Sequence, residues 1–162
     1  MRVLLVCLGN ICRSPTAEAA LHEAAEQARL DLEIDSAGTG DWHVGDPPDE
    51  RMRAAAAAVG LTLSGTARQI AAEDFDRFDL VLVMDRANYA DVCALAPDEE
   101  SKAKVALFRS FDPDADGEDV PDPYYGGDEG FPRVVEIVRA GARGVVAHLQ
   151  SLEEEQESRP RS

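Results

Sequence analysis

The sequence predicts a single-domain, doubly wound α/β fold, with a parallel sheet and helices on both of its faces. Three observations carry this. "RVLLVC" and "FDLVLVMD" are short, continuous apolar runs of the kind found in strands buried on both faces. Each run is followed at once by a helical pattern, and strand alternating with helix implies parallel pairing. At 162 residues the chain is long enough for one ordinary domain with a sizeable core and too short for two comfortable domains.

The elements follow in order. After the first strand, "SPTAEAALHEAAEQARL" repeats Ala17, Ala20, Leu21, Ala24, Ala25 and Ala28 at helical steps, with Ser14 as a candidate cap and Pro15 in the first turn. "LEIDSAG" reads as a short strand, and "DERMRAAAAAVG" as a helix stopped by Gly60. "FDLVLVMD" is the next strand, "RANYADVCALA" the next helix, and "AKVALF" a brief strand. A loop rich in Asp, Pro and Gly runs from Phe111 to Gly130, and a last helix spans about Pro132 to Leu152. The domain is therefore expected to cover residues 1–152, with 153–162 a polar, disordered tail.

Composition narrows the function classes. The chain carries 32 acidic and 16 basic residues, only Lys102 and Lys104 among the latter being lysines, for a net charge of −16. Such a surface repels nucleic acid and anionic membranes, and any anionic ligand must be held by local geometry. No apolar stretch of about 18 residues could span a bilayer. The opening "MRVLLVCL" lacks a cleavage site and reads as a strand, not a signal peptide. Three cysteines do not make a disulfide framework, so a reducing cytoplasm is expected.

In such a fold, ligands bind beyond the carboxyl ends of the strands. That rule points to "CLGNICRS", where the first strand hands over to the first helix. Gly9 and Asn10 tolerate positive φ, so the loop can curl until its amides point inward. A nest of amides at a helix amino terminus binds a phosphate-sized dianion, and Arg13 can grip two of its oxygens. The same field favours the thiolate of Cys7, to which the Ser14 hydroxyl can donate. The lysine of a nucleotide-binding phosphate loop is absent, and Cys7 and Cys12, five positions apart, are spaced too widely for a zinc site and have no second cysteine or histidine pair clustered nearby.

A thiolate attacking a phosphate monoester needs an acid for the leaving oxygen. "EDVPDPYYGG" offers Asp119 and Asp122; Asp122 lies between two stiffening prolines and is the choice. Trp42, the only tryptophan, sits in "GTGDWHVG" and either anchors its own loop or, with Tyr124 and Tyr125, walls a slot for a flat ring. A slot of that depth favours phosphotyrosine over phosphoserine. No role is assigned to His43, and His22 and His148 fall on helical patterns as solvated positions.

Taken together, "VCLGNICRSPTAE", "DSAGTGDWHVG", "ARQI", "FDLVLVMDRAN" and "DPYYGG" resemble the low-molecular-weight protein tyrosine phosphatase family in their order, over roughly residues 2–150. The resemblance implies a four-stranded parallel sheet with helices on both sides, a phosphocysteine intermediate, and no metal or organic cofactor. It implies Cys7 as nucleophile, Arg13 as phosphate-binding arginine and Asp122 as general acid and base. Leu8, Gly9, Asn10, Ile11, Cys12, Ser14 and Ser36 would bind phosphate or support the loop, and Trp42, Tyr124 and Tyr125 would form the aromatic rim. Cys12 would be a redox partner able to trap Cys7 in a reversible disulfide, although a packing role is equally open. The implied partners are phosphotyrosine proteins and a tyrosine kinase, with inorganic phosphate as product; the oligomeric state is open, a monomer being favoured. One departure is Gly65, where several relatives carry a histidine that braces the loop asparagine; support for Asn10 must come from elsewhere, Ser36 being the candidate.

Two relatives of the same fold are rival readings. Arsenate reductases relay a disulfide through a cysteine pair, whereas only Cys93 lies beyond the loop here. Protein arginine phosphatases tend to carry threonine where Ile11 stands and to lack the paired tyrosines. A phosphate-binding or redox-sensing module without turnover is the non-enzymatic reading; against it, pure anion binding would need neither the thiol nor the distant acid.

Overall fold

A computed structural model describes residues 1–124, 126–127 and 129–158. It contains one four-stranded sheet, all parallel, made of β1 (Arg2–Cys7), β2 (Glu33–Gly38), β3 (Leu80–Val83) and β4 (Val105–Leu107) in the order β2-β1-β3-β4. The helices are α1 (Arg13–Gln27), α2 (Glu50–Ala57), α3 (Asp74–Arg77), α4 (Arg86–Leu95), α5 (Glu99–Lys102) and α6 (Gly130–Ser158), with a 3₁₀ turn at Phe108–Phe111. α3, α5 and the 3₁₀ turn are each only four residues long, too short to give a periodic signal in sequence.

β1 is central, and alternate residues of its apolar run feed two cores. Val3 and Leu5 pack with Leu82, Met84 and residues of α1, α2 and α6. Leu4 and Val6 pack on the other face with Val81, Val83, Phe75 and the α4 residue Val92. The sheet is thus covered on both sides, as its uninterrupted hydrophobicity requires.

α6 lies very close to the 3₁₀ turn: a Cβ on Gly144 would stand 2.0 Å from the Phe111 carbonyl oxygen, and one on Gly141 2.3 Å from the Phe108 ring. Arg139 ties α6 to α1 through both oxygens of Glu23, at 3.1 and 2.9 Å. The helix also runs beyond the end expected from sequence, to Ser158 and not Leu152. Residues 153–158 are polar but consist mainly of strong helix formers, and they extend a helix already nucleated by packing. Residues 159–162 lie outside the described residues.

The order of strands reverses between β1 and β3, and a crevice opens there at their carboxyl ends. The loop from 8 to 12 and the start of α4 meet at this point.

Candidate active site

β1 ends at Cys7 and α1 begins at Arg13, so the intervening loop faces the positive end of the helix. Asn10 makes the turn in the left-handed region, with φ of 58°. Gly9 does not share that role, contrary to the sequence reading. A Cβ there would lie 3.1 Å from His43 Cδ2, so Gly9 serves the close approach of a side chain. Cys7 is 3% exposed, and its Sγ accepts from the Asn10 amide at 3.3 Å and lies 3.0 Å from Ser14 Oγ.

Ser14 is not the helix cap expected from sequence. Cys12 occupies that position without a side-chain bond, and Ser14 lies one residue inside α1. Its hydroxyl is used by the loop instead: it accepts from Asn10 Nδ2 at 2.8 Å, leaving its one proton for Cys7 Sγ or for the Ala37 carbonyl at 3.4 Å. The sulfur contact is the shorter.

Asn10 is braced from three sides. Besides Ser14, its Nδ2 donates to Ser36 Oγ at 3.1 Å, and its Oδ1 accepts from the Arg68 amide at 3.0 Å. Ser36 donates in turn to Glu18 Oε2 at 2.9 Å. Burial raises the Glu18 carboxyl above its ordinary range, an effect opposed by that bond. Arg68 is fixed by both oxygens of Asp74 and by Asp35. Ser36 therefore meets the expectation, while Arg68 was not singled out: its contribution is a backbone amide, which no side-chain pattern reveals. Gly65, with φ of 82°, has open space where a Cβ would project. Gly38 is a further contributor, since a Cβ there would come within 2.7 Å of the Leu8 carbonyl oxygen.

Arg13 is 3% exposed, and its Nη1 donates to Asp85 at 2.6 Å and to the Val120 carbonyl at 3.1 Å. Its Nη2 lies 3.6 Å from Asp122 Oδ2. Burial alone would lower the guanidinium, but Cys7, Asp85 and Asp122 raise it overall, so it stays charged. Asp85 was not singled out in sequence; it caps α4 by accepting from the Asn88 amide at 2.7 Å, and its other oxygen orients Arg13.

The loop that carries Asp122 is tethered close by. The Val120 amide donates to the Met84 carbonyl at 2.7 Å, and Arg109 donates to the Asp119 carbonyl at 2.9 Å. Asp119 Oδ1 accepts from the Arg86 amide at 3.0 Å. Asp122 instead reaches the cleft, with its Oδ1 accepting from the Tyr124 amide at 3.0 Å.

The cleft holds about 330 Å³. Cys7, Gly9, Ile11, Cys12 and Arg13 form its base, and Leu8, Trp42, His43, Asp122 and Tyr124 its walls and rim. Trp42 is 70% exposed but rests on the backbone of Gly40, where a Cβ would lie 2.0 Å from the ring. His43, unassigned in sequence, stands edge-on to Tyr124 with ring centroids 5.8 Å apart. Arg51 lies over the Tyr124 ring at 5.5 Å. Tyr125, expected on the rim, lies outside the described residues. Among the described residues no three His, Cys, Asp or Glu side chains converge as a metal-binding group.

Cys12 is 4% exposed. Burial, reinforced by Asp49, Cys7 and Asp122, pushes its thiol up to about 12 from 9.0. Between these values the unfolded chain has lost the proton that the folded chain keeps. Stability should therefore fall as pH rises above about 9, by about 1.4 kcal/mol per unit, with no contribution below. Urea midpoints measured from pH 8 to 10.5 should drop more steeply for the wild type than for Cys12→Ala; parallel curves would contradict this assignment.

Residues 2–158 match the family model described as low molecular weight phosphotyrosine protein phosphatase. A low molecular weight protein-tyrosine-phosphatase of Streptomyces coelicolor is 46% identical over 153 residues, covering 92% of this chain and 93% of its own. The crystal structure of a protein tyrosine phosphatase from Entamoeba histolytica, with Hepes in its active site, superposes with a TM-score of 0.91 at 36% identity, over 94% of this chain and 99% of that one. The structure of a Drosophila arginine phosphatase superposes with a TM-score of 0.86 at 32% identity, over 93% and 98% of the two chains.

Proposed function

Because the chain belongs to the low molecular weight phosphotyrosine protein phosphatase family, we propose that it hydrolyses phosphotyrosine in proteins through a phosphocysteine on Cys7. The observation that carries this reading is the convergence of Cys7, Arg13 and Asp122 on one cleft. The loop amides and Arg13 hold the phosphoryl oxygens, and Cys7 Sγ attacks phosphorus. The bond to the aryl oxygen breaks as Asp122 gives that oxygen its proton. Asp122 then takes a proton from the water that attacks phosphorus, and inorganic phosphate leaves. Sulfur departs as a thiolate stabilised by the Asn10 amide and the Ser14 hydroxyl. Asp85 keeps Arg13 extended toward the oxygens throughout, so little reorganisation accompanies binding.

Aryl specificity is supported by the apolar lining from Leu8, Ile11, Trp42 and Tyr124. Arginine phosphatase is the second reading, favoured by the likeness to the Drosophila structure; Ile11 at the base of the cleft argues for the aryl substrate. An arsenate relay is disfavoured, because Cys93 lies on α4 beside the Val92 core, away from the cleft. A side-by-side assay of phosphotyrosine, phosphoarginine and phosphoserine peptides, with arsenate reduction as control, should give phosphotyrosine the highest kcat/KM by at least about tenfold. A higher value for phosphoarginine would reverse the assignment.

Regulation by oxidation belongs to the same reading. Peroxide converts the Cys7 thiolate to a sulfenic acid, and the Cys12 thiol displaces water to close a disulfide. Mass measurement after peroxide should find a Cys7–Cys12 bond that thiol reverses. Sulfonic acid at Cys7 alone would remove Cys12 from this role. Cytoplasmic operation opposite a tyrosine kinase, as a monomer, completes the reading; among the described residues no helix is long and apolar enough to cross a membrane.

A further inference from the structure

Trp42 separates two clefts. Beyond it, on the side away from Cys7, lies a second depression of about 240 Å³. Its walls include Leu8, Trp42, Ile70 and Leu95, with Gln69 and Asp91 at the polar edge. Leu8 and Trp42 belong to both clefts, so the two are continuous over one rim. Leu8, Trp42 and Leu95 are 36, 70 and 38% exposed, an apolar patch of large side chains beside a binding site. The partition is held in place: the Trp42 ring rests on Gly40, Gln69 Nε2 donates to the Thr39 carbonyl at 3.2 Å, and the Ile70 amide donates to the Gly38 carbonyl at 2.8 Å.

We propose that this second cleft receives an apolar side chain of the substrate protein, within about three residues of the phosphotyrosine, with a neighbouring basic residue paired to Asp91. The inference rests on the phosphatase reading above. An aryl phosphate seated on Cys7 leaves its own backbone at the rim formed by Leu8 and Trp42. An extended chain advances about 3.3–3.6 Å per residue, so a flanking side chain crosses the indole within one to three positions. Among the described residues, Asp91 is the one charged residue lining this cleft, and it is exposed on α4. With a net charge of −16 behind it, the surface selects a basic partner and rejects an acidic one. A second copy of this chain would bring −16 against −16, which disfavours it as the occupant.

The test walks Leu, Ser, Lys and Glu through three positions on each side of phosphotyrosine in a peptide series, with para-nitrophenyl phosphate measured alongside. Leu at one position should raise kcat/KM about 5-fold over Ser, and Lys beside it about 3-fold more. Leu95→Gln should remove most of the leucine gain, and Asp91→Asn the lysine gain. Both variants should keep wild-type turnover of para-nitrophenyl phosphate, which never reaches this cleft. A flat leucine profile with para-nitrophenyl phosphate turnover intact would overturn the docking proposal alone, as would a leucine gain that survives Leu95→Gln. Selectivity that disappears as enzyme concentration rises would mean that a second copy covers the cleft, and would overturn it too. Failure of the wild type to hydrolyse para-nitrophenyl phosphate would instead strike the phosphatase reading itself.

Discussion

Cys7→Ser should lower turnover of aryl phosphates by about 10⁴-fold or more while leaving the fold and the affinity for inorganic phosphate nearly unchanged. The sulfur faces hydrogen-bond donors and a positive charge: the Asn10 amide at 3.3 Å, Ser14 Oγ at 3.0 Å, and Arg13 in the same pocket. A serine hydroxyl stays protonated under that field and is a far weaker nucleophile. It is also slightly smaller than the thiol, so a site only 3% exposed should accept it without rearrangement. Initial rates on para-nitrophenyl phosphate and phosphate titration by calorimetry check the two halves. Retained activity would remove Cys7 as nucleophile; lost phosphate binding would mean that the sulfur holds the loop in shape as well as attacking.

Asp122→Ala should separate substrates by their leaving groups. A poor leaving group, such as phenolate from a phosphotyrosine peptide, needs its proton in the transition state and should lose about 10²–10⁴-fold. A good one, such as para-nitrophenolate, should lose much less in the first step. Asp122 Oδ2 lies 3.6 Å from Arg13 Nη2, so the carboxyl stands beside the guanidinium without being locked to it. Equal losses for both substrates would assign Asp122 to positioning Arg13 instead of proton transfer. Asp122→Asn keeps the size and the Tyr124 contact while removing the acid, and should reproduce the same split.

Several elements were legible in sequence because their signals are local. The strand "RVLLVC", the loop and the helix after it lie within consecutive residues, and each has a pattern of its own. Ser14 illustrates the limit of that approach. Its type and position suit a helix cap, but the competing demand of Asn10 and Cys7 for its hydroxyl takes it into the loop. Residues 153–158 illustrate another: polarity indicates that a segment does not pack, not that it leaves the helix. Trp42 was recognisable as needing a reason, yet its wall-like placement depends on Gly40 beneath the ring.

The sequence by itself determined the α/β class, the loop from Cys7 to Arg13 and the pair Cys7 and Asp122 as chemical candidates, because thiol, guanidinium and carboxyl chemistry reside in residue type and short spacing. Only the tertiary structure decided which groups hold them. Arg13 meets Asp85 across 72 residues and Val120 across 107, and Asn10 meets Arg68 across 58. Parallel crossovers gather the carboxyl ends of β1 and β3 at one edge, so residues remote in the chain become neighbours there. No local propensity records which side chain then faces which, and that is settled by packing and by the need of each buried polar group for a partner.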